Sequence, residues 1–149
     1  MIRLQTEPFE PGALLAQFSA GRSETGAVVS FTGLARGEAG SVERLELEAC
    51  PGFTDAEIAR FADEASLRFN LHDVLIVHRT GQIAPGEAIV FVATASVHRR
   101  EAFEAADYLM DYLKSRAPFW KKQHGRDGAA WIEPTDRDHD DLKRWSTTP

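Results

Sequence analysis

Six cationic side chains, Arg99, Arg100, Lys114, Arg116, Lys121 and Lys122, crowd one short stretch of a 149-residue chain whose formal net charge is −6. An overall negative field offers no general attraction to nucleic acid or anionic membranes, so an anion site on this chain has to be local. In Ser96-Val97-His98-Arg99-Arg100 an apolar strand pattern gives way to a helical one, with Ser96 placed to cap the helix. A helix start is the positive end of the peptide dipole and favours acidic side chains, yet His98, Arg99 and Arg100 stand there. An anion held by the free N–H groups together with His98 and Arg99 resolves that conflict. Arg100 is better explained by solvent, or by pairing with Glu101 and Glu104.

The second candidate is Lys114-Ser115-Arg116-Ala117-Pro118-Phe119-Trp120-Lys121-Lys122. Pro118 forbids further helix and turns the chain, so Lys114 and Lys121 can converge with Arg116 on one pocket. Crowded cations and burial beside Phe119 and Trp120 lower a lysine pKa, which makes an amine useful as a base or nucleophile near neutral pH. A solvated basic turn with Phe119 and Trp120 in the core accounts for the same residues equally well. Arg36, in the glycine-containing loop from Thr32 to Gly40, suits bidentate anion binding, although a surface arginine is the commoner case. That loop carries no Walker or G-x-G-x-x-G phosphate signature.

Other polar clusters read as inert. Asp136-Arg137-Asp138-His139-Asp140-Asp141 has neither the spacing nor the glycine of a hard-cation loop and no second His or Cys for zinc, so it reads as a solvated acidic segment. His72, His78 and His124 stand alone and read as structural. Cys50 is the single cysteine, which excludes an intrachain disulfide, and its place before Pro51-Gly52 also reads as structural.

These side chains need a scaffold, and the hydrophobic pattern supplies one. A short strand at residues 2–5 leads to a helix from Pro11 that buries Leu14, Leu15 and Phe18. The apolar run 27–31 reads as a strand covered on both faces, and 42–49 alternates as a half-solvated strand. Thr54 and Glu57 form a capping-box signature ahead of Ile58, Phe61, Ala62, Ala65 and Phe69 at helical spacing, with Asn70 ending the helix. Strands 74–79 and 88–95 flank a turn-rich segment and are expected to pair. A long helix over 97–115 carries Phe103, Ala106, Met110 and Leu113 on one stripe, and short strands follow at 119–123 and 130–132. The resulting order, β-α-β-β-α-β-β-α-β-β, predicts an α+β domain: helices on a mainly antiparallel sheet with a secondary sheet. Length and 43% apolar content fit one domain over residues 1–149, with an acidic C-terminal tail from about 136. No apolar run reaches bilayer length and the N-terminus has no signal-peptide pattern, so a cytoplasmic location is expected.

One family unites these fragments. Gly26 through Gly33, Leu47-Glu48 with Pro51-Gly52, Ile76 through Arg79, Pro85-Gly86-Glu87, Ser96 through Arg99 with Ala102 through Ala105, and Met110 through Lys121 occur in the order seen in the large, catalytic subunit of molybdopterin synthase. The chain resembles that family from about Gly26 to Trp145. The resemblance implies an α/β-hammerhead fold with an added antiparallel subdomain, and a homodimer that binds a small ubiquitin-like sulfur-carrier subunit at each end to form a heterotetramer. It also implies a reaction: the carrier's C-terminal thiocarboxylate delivers sulfur to cyclic pyranopterin monophosphate, two transfers make the molybdopterin dithiolene, and no metal or organic cofactor takes part. By position, Lys114 and Lys121 match the family's active-site lysines, and Arg36, His98 and Arg99 match substrate or anion contacts. Leu34, Ala35, Lys122 and Gln123 are implied to line the same site. One departure stands out: where the family sends an arginine into the neighbouring subunit's pocket, this chain has Thr135, and Arg137 is the nearest substitute. The competing readings are a noncatalytic adaptor for an anionic protein C-terminal tail, and a single-stranded nucleic-acid binder disfavoured by net charge.

Overall fold

The alternating and continuous apolar strands sort into two separate sheets. In the computed structural model, which describes residues 1–146, the chain begins β1 (Ile2–Gln5), α1 (Pro11–Ser19), β2 (Ala27–Leu34), β3 (Arg44–Ala49) and α2 (Thr54–Phe69). It continues β4 (Asp73–Arg79), β5 (Gly81–Ile83), β6 (Ala88–Ser96), α3 (Arg99–Ser115), β7 (Phe119–Gly125), β8 (Gly128–Ile132) and α4 (Asp136–Lys143). The larger sheet has the order β1-β4-β6-β2, with only the β1–β4 pair parallel. The second sheet, β5-β3-β7-β8, is antiparallel throughout. The expected α+β architecture, a mainly antiparallel sheet with helices and a smaller antiparallel unit, is what forms.

Central strands β4 and β6 are apolar on both faces because both faces are covered. On one side Ile76 and Val92 pack with Ile58, Phe61 and Ala65 of α2 and Leu109 of α3. On the other, Val77, Phe91 and Ala93 pack with Phe18 of α1. Truncating a fully buried residue such as Leu109 costs ~2–5 kcal/mol at sites of this kind. A third core, with Leu45, Leu47 and Ile83, joins the second sheet to Ala35 and Val42.

Several expectations are corrected. β2 is an edge strand that leaves Phe31 and Leu34 exposed, not a strand covered on both faces, and it extends into the expected loop as far as Leu34. An apolar run reports low polarity; it does not report whether a neighbour lies on each side. Thr54 is the first helical residue and caps nothing: its hydroxyl accepts from the Cys50 N–H and donates to the Pro118 carbonyl, tying α2 to the turn before β7. The N-cap position of α3 is His98, while Ser96 is buried in β6 and donates to the His98 carbonyl. The buried stripe of α3 is Ala102, Ala105, Ala106, Leu109 and Leu113, which leaves Phe103 exposed. The turn-rich segment contains β5, paired to β3. Cys50 is exposed and belongs to no core cluster.

The acidic run expected as a solvated segment forms α4. Thr135 and Asp138 make a reciprocal capping box, the Asp138 carboxylate accepting from the Thr135 N–H and the Thr135 hydroxyl from the Asp138 N–H. No residue of α4 is buried, so the helix is held from its far end. There the Trp145 indole and the Arg144 guanidinium donate to Asp111 of α3 at 2.6 and 2.5 Å, and Trp145 meets the rings of Phe69 and Tyr108 edge-on.

Candidate functional site

Where the two sheets and the last turn of α3 meet, they enclose a cavity of about 600 Å³. Each wall has a sequence reason. Tyr112 accepts the backbone N–H groups of Arg116 and Ala117, which closes α3 just after Lys114; Pro118 then turns the chain into β7. In β7 the period of two decides orientation. Lys121 pairs with Leu47 and Gln123 with Leu45, the two buried residues of β3, so both face inward and line the cavity. Lys122 pairs with Glu46 and Trp131 on the opposite face, its ammonium 5.1 Å from the Trp131 ring centroid. The expectation that Lys122 lines the same site is therefore corrected for its side chain.

A register shift at Gly33/Leu34, where β2 leaves β6, sets the third wall. Leu34 and Arg36 line the cavity; Ala35 between them is buried in the core, its N–H donating to the Glu87 carbonyl and its carbonyl accepting from the Gly86 N–H. Ala35 is thus a scaffold residue and not a lining one. Arg36 is largely exposed and pairs with Glu38 at 2.9 Å. Glu38 and Ala39 both take positive φ, 48° and 55°, a conformation that costs side-chain-bearing residues ~1–2 kcal/mol each. Asp138, fixed by the capping box, completes the rim.

The cavity brings Leu34, Arg36, Lys114, Lys121 and Gln123 together. It does not include His98, Arg99 or Arg116. Arg99 opens α3 and Lys114 lies in its last turn; at about 1.5 Å of rise per residue they stand roughly 20 Å apart. Within one copy of the chain, the helix start and the lysine pair are separate places. The third cation of the cavity is Arg36, in the position imagined for Arg116.

Electrostatics follow from this crowding. Burial, then the charges of Lys114 and Arg36, hold the Lys121 ammonium below the usual lysine pKa, while Asp138 and Glu38 pull the other way. Burial pushes the Asp138 carboxyl up, but the hydrogen bonds of Thr135 and the charges of Lys114 and His139 outweigh it and leave Asp138 lowered. His78, read as an isolated structural histidine, is also here, buried at the floor of the cavity and stacked on Phe119. Its single sequence signal was a titratable residue directly after the apolar run Val74 to Val77. Asp138 had none, because only the fold carries α4 back to the lysines.

The MoaE protein family model matches residues 4–116. The chain belongs to the MoaE family. The molybdopterin synthase catalytic subunit of Caulobacter vibrioides is 67% identical over 145 residues, covering 97% of each chain. Among solved structures, the molybdopterin biosynthesis MoaE protein of Burkholderia ambifaria superposes with a TM-score of 0.84 at 40% identity over 99% of both chains. Molybdopterin synthase from Staphylococcus aureus gives 0.79 at 31% identity, covering 87% of this chain and 95% of that one. The lysine cavity is therefore a feature of a MoaE-family chain, built from the strands and the helix end that the fold places together.

Proposed function

We propose that this chain is the catalytic subunit of a molybdopterin synthase and that sulfur transfer takes place in the cavity between Lys114 and Lys121. One observation carries the reading: two lysines and an arginine converge on one half-open cavity in a chain of net charge −6. Cyclic pyranopterin monophosphate and the thiocarboxylate tail of a small carrier protein are both anionic, and a local cationic cavity serves both. Lys114, at the mouth, pairs with the thiocarboxylate end and moves protons as the sulfur bonds to the pterin side chain and water then attacks the acyl carbon, breaking the C–S bond and releasing the carrier as carboxylate. Lys121, deeper and with a lowered pKa, assists as an acid or base closer to neutrality. Arg36 holds phosphate at the rim.

His98 and Arg99 enter this scheme through a second copy. Both are exposed at the start of α3, near the unpaired edge strand β2, and Phe31, Val97 and Phe103 add exposed apolar surface. A homodimer that buries this face brings one copy's helix start to the other's cavity, and with a carrier at each end forms a heterotetramer. The location is cytoplasmic in this reading; among the described residues no helix is long and apolar enough to cross a membrane.

The test mixes the full chain with thiocarboxylated carrier and cyclic pyranopterin monophosphate and follows dithiolene product and carrier carboxylate by mass spectrometry. Both products form with wild type, and Lys114→Ala abolishes them while retaining the carrier. A chain that binds carrier and forms neither product is an adaptor for an anionic tail, and the catalytic reading is then wrong.

A further inference from the structure

The cavity has two chemically different ends. Its exposed mouth carries the cations Arg36 and Lys114, with Lys121 further in; among the apolar side chains that line it, His78 is a buried, titratable member. His78 is the penultimate residue of β4, is 7% exposed, and stacks on the Phe119 ring at 4.1 Å between centroids with the planes 21° apart. Its Nδ1 is 2.8 Å from the Arg79 carbonyl. A carbonyl oxygen has no proton to give, so Nδ1 carries the hydrogen and the lone pair of the neutral ring sits on Nε2. Burial, with added repulsion from Lys114 and Lys121, pushes His78 down to about 4 despite the Arg79 carbonyl, so the ring is neutral near pH 7.

Stacking and the Nδ1 tether together fix where that lone pair points. Among the described residues nothing in the protein hydrogen-bonds to Nε2. Nor is it sealed in the core: among the described residues, the sealed side-chain atoms without a partner are Glu101 Oε2 and Ser115 Oγ. The space that His78 lines is this cavity. An immobile acceptor at the inner end of a cationic site reads a ligand's neutral donor, as the rim reads its anion.

We propose that His78 is a specificity-determining residue of this site: Nε2 accepts a hydrogen bond from an N–H of the pterin heterocycle, while Arg36 and the lysines hold the anionic end. The assignment rests on the pterin reading above and extends it to a contact that selects for the heterocycle. Losing one hydrogen bond to a group built to receive it reduces binding by about tenfold or more. Inorganic phosphate, which has no such N–H and needs only the rim, is indifferent to the change.

Titration of the full-length chain with cyclic pyranopterin monophosphate and, separately, with inorganic phosphate tests this. His78→Leu weakens the pterin about tenfold or more and leaves phosphate affinity within about twofold; His78→Gln, whose amide oxygen reaches close to the Nε2 position, recovers part of the loss. In turnover, His78→Leu raises KM more than it lowers kcat. Labelled histidine gives a readout without mutation if the leucine variant fails to fold: the Nε2 resonance of His78 moves on adding pterin and stays put on adding phosphate. Equal pterin binding by wild type and His78→Leu overturns the assignment of His78 alone, as does an Nε2 resonance unmoved at pterin saturation. Equal loss of pterin and phosphate also overturns it, since that marks a collapsed cavity. A wild-type chain that binds phosphate and no pterin overturns the substrate reading together with this one.

Discussion

Lys121 and Lys122 are neighbours in sequence and lie on opposite faces of β7, one opposite Leu47 inside the cavity and the other over Trp131 outside it. Two adjacent, chemically identical side chains therefore differ in everything their environment sets. Lys121→Ala is expected to lower turnover at least a hundredfold with little change in carrier binding. Lys122→Ala removes a solvent-facing cation–π contact worth about 0.5–1 kcal/mol and leaves turnover within about threefold. Steady-state kinetics of the two variants decide the matter; similar losses in both would place Lys122 in the site after all.

A pH profile follows from the charges around Lys121. Where that lysine acts in its protonated form, activity falls as pH rises through its lowered pKa. Arg36 lowers that pKa, so Arg36→Gln raises it and moves the alkaline limb of kcat to higher pH. Asp138 raises it, so Asp138→Asn moves the limb to lower pH. Opposite displacements in the two variants are the expected result, and limbs that coincide with wild type would remove Lys121 as the group being titrated.

The sequence announced the ingredients of this site more clearly than their grouping. Alternation in residues 42–49 and continuity in 74–79 and 88–95 placed β3, β4 and β6, because a period of two and a doubly covered strand leave direct marks on polarity. Alternation also separates Lys121 from Lys122 once β7 is known to pair with β3, but a basic turn and a strand share the same composition at Lys114 to Lys122. Thr54 shows the limit differently: a hydroxyl three residues before a glutamate can cap a helix or cross to Pro118, and only tertiary packing chooses. The position of β2 at a sheet edge, the return of α4 to the lysines and the burial of His78 are long-range outcomes with no local period to report them.

The separation of Arg99 from Lys114 along α3 makes a distinct prediction about pairs of chains. One variant, Lys114→Ala, lacks the reaction end; another, with His98→Ala and Arg99→Ala, lacks the helix start. If each active site draws its lysines from one copy and its helix start from the other, mixing the two inactive chains restores activity. Random pairing yields hybrids with one intact site each, or roughly a quarter of the wild-type sites. Mixing after dissociation and reassociation, followed by the dithiolene assay, gives the answer. An absence of complementation, with hybrids shown to form, means that the helix start serves its own copy or no site at all.

Trp145 controls the remaining wall at a distance. It stacks edge-on against Phe69 and Tyr108 and donates to Asp111, whose carboxyl burial raises against the pull of the Trp145 and Arg144 bonds. Trp145→Ala removes a large ring from a partly buried site and leaves Asp111 short of a donor, a loss of about 2–4 kcal/mol by the usual cost of such truncations. Because no residue of α4 is itself fully buried, that loss falls first on its attachment and not on the main core. Amides of residues 136–143 then exchange with solvent far faster than those of α2, and Asp138 leaves the rim. Once it does, Lys121 loses one of the groups holding its pKa up, so the alkaline limb of Trp145→Ala moves in the same direction as that of Asp138→Asn. Faster exchange in α4 with an unmoved limb would show that Asp138 has no hold on Lys121; unchanged exchange would show that α4 is fastened by something other than Trp145.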